Sequence, residues 1–218
     1  GSTKTSTVLH SGLDPELLAG QTHQDNNVVP TRAANIWFAR QMIFLEAGGR
    51  LLGDRSRWPR LLASVRPGRR KAVGGASGAA PRAALVCVDA ETFTQQGAAE
   101  AVAGAARLLQ TRLSEISQQF GISFPVYVLF TKMNRLAFFE DLVRNLTNEE
   151  ATEVLGATLP MRVQSATGIY AEEETRRLAK AFDEVFYSLA DHRIDLLPRE
   201  SDAQKVAGAY EFPREFRK

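Results

Sequence analysis

Three short groups of residues carry the chemistry that can be read from this chain. Gly1-Ser2-Thr3-Lys4-Thr5-Ser6 ends like the phosphate-binding pattern G-x-x-x-x-G-K-[ST]. In that pattern backbone N–H groups cradle phosphates, the Lys reaches the terminal phosphates and the hydroxyl binds Mg²⁺. Lys4, Thr5 and Ser6 are the residues that would take those roles. Thr3 stands where the pattern wants Gly, and its β-carbon is expected to crowd the turn that brings backbone to phosphate. The first Gly of the pattern, and the strand that would precede it, fall upstream of residue 1. Taken alone, the hexapeptide fits a frayed terminus that binds nothing better than it fits a site.

The second group is Glu46-Ala47-Gly48-Gly49-Arg50, at the end of an apolar run. P-loop GTPases carry D-x-x-G at this place, where the carboxylate holds Mg²⁺ through water and the Gly N–H meets the γ-phosphate. Glu46 keeps the charge with one more methylene, and Gly49 keeps the N–H. Arg50 occupies the place of the water-orienting Gln and is the candidate catalytic residue. A glycine-rich turn after a core strand is the competing reading. The third group is Thr131-Lys132-Met133-Asn134, against the guanine-binding pattern [NT]-K-x-D. Thr131, Lys132 and Asn134 would hold the base, but an amide offers one carbonyl oxygen where a carboxylate offers two acceptors, which weakens guanine selectivity. Ser165-Ala166-Thr167-Gly168 would be a further base-contacting loop. Thr31 is the best-placed hydroxyl to join Thr5 and Glu46 around Mg²⁺.

These groups need elements to hold them. Val8 to Leu18 reads as a short helix after the phosphate loop, and Gln21 to Thr31 is a polar segment in the place of a switch loop. Asn35 to Leu45 reads as two strands around Ala39-Arg40-Gln41, rich in aromatic and β-branched residues. Trp58 to Val65 is helical, and Pro67 to Pro81 is a low-complexity loop with the flexible run Gly74-Gly75-Ala76-Ser77-Gly78. Ala83 to Asp89 and Phe124 to Phe130 are apolar runs of the kind found in parallel strands covered on both faces. Ala98 to Phe120 is a long amphipathic helix, with Val102, Ala106, Leu109, Leu113 and Ile116 on one face. Leu136 to Leu146 and Ala171 to Arg193 are further helices, the latter with an apolar stripe of Phe182, Val185, Phe186 and Leu189. Helices alternating with buried strands predict an α/β fold: a P-loop NTPase of GTPase-like kind, with a doubly wound, mostly parallel sheet flanked by helices and its first strand truncated. In such sheets ligands bind at the carboxyl ends of strands, where all three groups lie.

The 218 residues are 44% hydrophobic, enough for one substantial core. A net charge of +2 implies no bulk polyanion partner. The basic run Arg66-Pro67-Gly68-Arg69-Arg70-Lys71 fits a solvated loop better than a nucleic-acid patch. No apolar run reaches the ~18 residues of a membrane span, and no signal peptide is visible. The single Cys87 lies in a buried-strand pattern and reads as a small core residue; one Cys forbids an internal disulfide, which fits a reducing cytoplasm. His10, His23 and His192 show no metal-ligand spacing.

Five segments resemble the cytoplasmic part of the TssM/IcmF family, inner-membrane proteins of bacterial type VI secretion systems. They are Lys4-Thr5-Ser6-Thr7 with Ser11-Gly12-Leu13, Trp37 through Arg50, Trp58 with Leu61-Leu62 and Arg66-Pro67, Phe124 through Lys132, and Ala209-Tyr210-Glu211-Phe212-Pro213-Arg214-Glu215-Phe216-Arg217-Lys218. The last is the most specific, because nothing in a generic GTPase demands it. The resemblance implies a P-loop GTPase-like domain over residues 1–195, truncated at its N-terminus. Residues 196–218 would then be a linker and the start of a following helical cytoplasmic region. It implies a longer protein held in the bacterial inner membrane by transmembrane helices absent from this chain, with this segment cytoplasmic. Its partners would be other type VI secretion membrane-complex and baseplate proteins, without nucleic acid, and its cofactor GTP or ATP with Mg²⁺. Family members carry Gly, Asp-Thr-Ala-Gly-Arg and Thr-Lys-x-Asp where this chain has Thr3, Glu46-Ala47-Gly48-Gly49-Arg50 and Asn134. All three departures fall on the nucleotide site. The expectation is a switch or scaffold with eroded NTPase motifs and slow or no turnover; the alternative is a catalytically competent soluble P-loop GTPase outside secretion.

Overall fold

The computed structural model describes residues 3–21, 31–65, 83–159 and 170–218. The chain divides into two compact units, residues 1–132 and 133–218.

The first unit opens with helix α1, Lys4–Leu9, entered from Thr3 at φ 55°. This left-handed conformation is one that a β-branched residue adopts at a cost and Gly adopts freely, which is the physical content of the departure at Thr3. Strand β1, Glu16–Ala19, follows a turn through Gly12 and Asp14, both at positive φ. The helix expected from Val8 to Leu18 is therefore half as long and is succeeded by a strand. Strands β2, Ala34–Ala39, and β3, Met42–Ala47, form an antiparallel hairpin over the two-residue turn Arg40-Gln41, with Arg40 at φ 53°. Helices α2, Gly49–Gly53, and α3, Arg57–Ser64, come next, with Asp54 accepting from the Ser56 and Arg57 backbone N–H groups at the entry to α3. Strand β4, Ala84–Asp89, leads through a 3₁₀ turn, Ala90–Thr94, to α4, Ala98–Phe120, and then to β5, Val126–Thr131.

The sheet departs from the doubly wound expectation. Among the described residues the strands form a three-stranded antiparallel sheet, β1-β2-β3, and a separate parallel pair, β4-β5. The reason lies in the connections. A two-residue turn between β2 and β3 compels antiparallel pairing, whereas a parallel pair needs a crossover, which β4-α4-β5 supplies. The apolar runs that suggested strands covered on both faces are also more open than that: Leu85, Val126, Tyr127 and Val128 are exposed. Apolar composition identified the strands but not their partners.

The unit's apolar core gathers Leu51, Trp58 and Leu62, with Ala34, Ala47, Ile116 and Phe120 packed against them. Arg112 of α4 is buried there. Its guanidinium lies over the Trp58 ring at 5.6 Å, its Nε donates to the Leu52 carbonyl at 2.6 Å and its head pairs with Glu115 at 2.8 Å.

The second unit begins with a 3₁₀ turn, Met133–Arg135, and a short helix α5, Phe139–Val143, in place of the longer helix expected from Leu136 to Leu146. Helix α6 runs Tyr170–Leu196 and α7 runs Ala203–Arg217, with a 3₁₀ turn at Leu197–Arg199 between them. Their core is Leu142, Leu189, Leu196, Ala209 and Phe212. The Ala209–Lys218 segment singled out in the sequence supplies the lid of this core. Phe212 is 0% exposed and stacks edge-on against Phe139 at 5.4 Å, and Pro213 is buried inside the helix. Of the α6 stripe, Leu189 is buried and Val185 packs on the core, while Phe182 is exposed.

Candidate functional site

The hairpin positions the site. Its two-residue turn sets Asn35 directly opposite Glu46 across β2 and β3. Residues two apart on a strand share a face, so Trp37 lies beside Asn35 on that face. Glu46 is only 5% exposed, and a buried carboxylate must be bonded or neutralised. It is bonded four times. Oε1 accepts from the Thr5 hydroxyl at 2.5 Å and from the Thr31 hydroxyl at 2.6 Å. Oε2 accepts from Asn35 Nδ2 at 3.0 Å and from Trp37 Nε1 at 3.1 Å. Burial pushes the Glu46 carboxyl up, but the hydrogen bonds from Thr31, Thr5, Trp37 and Asn35 together outweigh it and hold it below the ordinary value of 4.5. Glu46 is therefore a carboxylate at neutral pH, acceptor only.

Three pieces of backbone meet here. Thr5 comes from α1, Thr31 from the residues preceding β2, and Glu46 from the end of β3. Gly48 lets them approach. Its N–H donates to the Ala33 carbonyl at 2.7 Å, and a β-carbon on it would lie 2.4 Å from the Thr31 carbonyl oxygen. Asn35, 0% exposed, extends the network by accepting from the Gln21 N–H at 2.9 Å. The Thr7 hydroxyl of α1 donates to the Thr3 carbonyl at 3.1 Å. Burial pushes the Cys87 thiol up, against the Thr7 hydrogen bond and the Lys4 charge, with Glu46 adding an upward push. Cys87 is thus a neutral, half-buried wall beside Lys4 rather than a nucleophile.

The structure brings the predicted metal residues Thr5, Thr31 and Glu46 into one cluster. Lys4 and Ser6 flank Thr5 on α1. Gly49 and Arg50 open α2 and are exposed, and a β-carbon at Gly49 would meet nothing within 4 Å. Thr131 and Lys132 close β5. The Thr131 hydroxyl donates to the Val88 carbonyl at 3.2 Å, and Lys132, at φ 56°, pairs with Asp89 at 2.5 Å and Glu91 at 3.8 Å. Asp89 and Cys87 share a face of β4, ~6–7 Å apart along the strand, and Asp89 is the one that pairs with Lys132. Asn134 is exposed in the turn that opens the second unit. Ser165 to Gly168, most of Gln21 to Thr31, and the basic run from Arg66 lie outside the described residues.

Sequence reasoning missed Asn35, Trp37, Asp89 and Glu91. The first two were legible in principle, because a two-residue turn at Arg40-Gln41 fixes the register that faces Asn35 to Glu46. Among the described residues no group of three or more His, Cys, Asp or Glu gathers as a metal site, and no helix is long and apolar enough to cross a membrane. What the cluster offers is two hydroxyls and one carboxylate, hard oxygen donors of the kind Mg²⁺ takes.

The family model for the IcmF-related N-terminal domain matches residues 53–218, and the chain belongs to that family. A curated relative, the type VI secretion system component TssM1 of Pseudomonas aeruginosa strain PAO1, is 27% identical over 225 residues, an alignment covering 99% of this chain. The chain spans 19% of that relative's length. No solved structure matches the chain. The family match begins after the Thr5–Thr31–Glu46 cluster, whereas the alignment with the relative includes it.

Proposed function

We propose that this chain is a switch module of a type VI secretion membrane component, and that the Thr5–Thr31–Glu46 cluster holds Mg²⁺ and, through it, the phosphates of GTP or ATP. The observation that supports this reading is the close spacing of three oxygens in the cluster. Each hydroxyl has one proton, and both protons are directed to Glu46 Oε1. The Thr5 and Thr31 oxygens lie 3.2 Å apart, within hydrogen-bond reach of each other, and Asn35 Nδ2 stands 3.5 Å from the Thr31 oxygen, so Thr5 Oγ1, Thr31 Oγ1 and Glu46 Oε1 form one close group of oxygens. Adjacent ligands of an octahedral Mg²⁺ at ~2.1 Å stand about 3 Å apart, and the pair fits that edge. When bound, Mg²⁺ neutralises phosphate charge. Lys4 would contribute a second positive charge, Ser6 and Gly49 would add donors to the phosphates, and Thr131, Lys132 and Asn134 would hold the base. Lys132 would have to leave Asp89 or keep it as an orienting partner.

Turnover is not expected to be the output. Arg50 is exposed, and a guanidinium cannot serve as a base. Glu46 is held ionised by four donors, which makes it a weak base too. The module would therefore act through conformation, within a protein held in the bacterial inner membrane, with this segment on the cytoplasmic side beside other membrane-complex and baseplate components. A pure scaffold is the second reading. It is favoured by one observation: Glu46 is already satisfied by protein donors, so the cluster stands without a ligand. Thr5→Val and Thr31→Val in the full-length protein separate the two. A switch loses type VI-dependent secretion while the protein still accumulates and assembles. A scaffold keeps it, and retained secretion in both variants would overturn the switch reading.

A further inference from the structure

Glu46 differs from the aspartate expected at its position by one methylene, and a longer carboxylate has more ways to meet a cation. It can bind through one oxygen, through both, or through water. Which of these it uses decides which cation it prefers. Ca²⁺ takes six to eight oxygen ligands at ~2.3–2.6 Å and favours bidentate carboxylates, whereas Mg²⁺ demands six at ~2.0–2.1 Å in near-ideal octahedral geometry. Two features of the hairpin bear on this choice. Asn35 Nδ2 and Trp37 Nε1 both donate to Oε2, and both residues are buried, so that oxygen faces the protein. Asn35 is held in turn by the Gln21 N–H on its own Oδ1, so its amide cannot flip without losing two bonds. Only Oε1 faces the threonines.

We infer that Asn35 and Trp37 are specificity-determining residues: by occupying Glu46 Oε2 they forbid bidentate coordination and restrict the cluster to a small octahedral cation, Mg²⁺ or Mn²⁺, against Ca²⁺. This rests on the reading that the Thr5–Thr31–Glu46 cluster takes a divalent cation. Asn35 and Trp37 would not touch the ion; Trp37 acts through the carboxylate alone, and Asn35 acts mainly through it at 3.0 Å, with a longer 3.5 Å contact to the Thr31 hydroxyl. Freeing Oε2 gives Glu46 a second oxygen to turn toward a larger ion, and the discrimination falls.

The test uses Mn²⁺ as the probe, with the loss of the free-ion electron paramagnetic resonance signal as the measure of binding and Mg²⁺ or Ca²⁺ alone as competitors. Wild-type chain is expected to bind Mn²⁺ and to release it to Mg²⁺ at far lower concentration than to Ca²⁺. Trp37→Phe keeps the ring and removes only the N–H; it should narrow the Mg²⁺-to-Ca²⁺ preference by roughly fivefold or more, the worth of about one hydrogen bond. Asn35→Ser, which shortens the second donor, should move the preference the same way and serves if Trp37→Phe does not fold by circular dichroism. Thr31→Val should abolish Mn²⁺ binding. If wild type binds Mn²⁺ and folded Trp37→Phe or Asn35→Ser keeps the wild-type preference, the specificity role is wrong while the site stands. If wild type binds no Mn²⁺, the site itself is wrong and the inference goes with it.

Discussion

The first unit buries a carboxylate and the second buries a phenyl ring, and the two are held by different physics. Glu46 sits among four neutral donors drawn from α1, the residues before β2, and β2 itself. Every one of those bonds is directional, and together they join three stretches of chain to the same two oxygens. Phe212 sits among Leu142, Leu189, Leu196 and Ala209, where burial is non-directional and scales with area. Around that core several charges pair at the surface, as in the Arg199–Glu150 fork at 2.7 and 3.0 Å and the Arg217–Asp183 pair at 3.1 Å, and the enclosed Glu200 carboxylate is met by a charge, Arg144 at 3.3 Å, as well as by Asn145 at 2.8 Å. An apolar core tolerates a displaced atom at modest cost. A buried carboxylate with all four donors in place specifies one arrangement, and loss of any donor is felt at once. That is why the ligand-facing reading belongs to the first unit and the family-signature helix α7 reads as structure.

The largest expected effect breaks the second unit. Phe212→Ala empties a fully buried ring site and should cost about 3–5 kcal/mol, read as a lower denaturation midpoint for α5, α6 and α7 while the Glu46 bonds persist by NMR. Glu46→Leu tests the first unit in the converse way. The two hydroxyls can reorient, but Asn35 Nδ2 and Trp37 Nε1 are left buried without an acceptor, at about 1–3 kcal/mol each. Chemical denaturation with Trp37 emission as the probe should locate that loss in the first unit. An unchanged midpoint would mean that the donors find other partners and the cluster is loosely specified.

Two glycines sharpen the contrast at smaller scale. A β-carbon at Gly48 meets the Thr31 backbone carbonyl at 2.4 Å, and a β-carbon at Gly208 meets the Asp141 carboxylate, a side chain that can turn away. Gly48→Ala should therefore cost about 1–3 kcal/mol and pull Thr31 off Glu46. Gly208→Ala should cost less and show mainly as loss of the Lys205–Asp141 pair, now 2.9 Å. Equal losses would remove the distinction between a glycine hemmed in by backbone and one hemmed in by side chains.

Acid and salt give the subtlest comparison. Glu46 and Glu150 both titrate below the ordinary 4.5, Glu150 at about 2, so each contributes stability that is present above pH 4.5 and lost as pH falls through its folded value. Their causes differ. Glu150 is held down first by Arg199, a charge at the surface, whereas the donors on Glu46 are all neutral. Salt screens exposed charges and leaves neutral hydrogen bonds alone. In 1 M NaCl, a Debye length of about 3 Å, the Glu150 titration followed by carboxyl-carbon NMR should climb toward the ordinary value while that of Glu46 stays. A matching climb at Glu46 would mean that a charge, not the hydroxyls and indole, holds it.

Much of this was readable before any coordinates. The hairpin about Arg40-Gln41, helix Ala98–Phe120 and the cluster membership of Thr5, Thr31 and Glu46 follow from turn length, periodicity and motif order. The sheet was not legible, because an apolar run fixes that a strand exists but not which strand lies beside it. Asn35 and Trp37 escaped notice because the motif they serve names only its acid, and their role appears only once the register is counted across the turn. The short α1 and the strand at Glu16–Ala19 turn on backbone conformations at Gly12 and Asp14 that composition does not announce.

The central claim is that the cluster around Glu46, and not any other acidic surface, is where a divalent cation goes. Paramagnetic broadening by Mn²⁺ tests it on the wild-type chain. Substoichiometric Mn²⁺ should broaden the Trp37 indole N–H and the amides of Thr5 and Thr31, with recovery on excess Mg²⁺ and no such broadening in Thr31→Val. Broadening that leaves Trp37 sharp and gathers instead on the acidic face of α6, at Glu184, Asp191 and Asp195, would contradict the account.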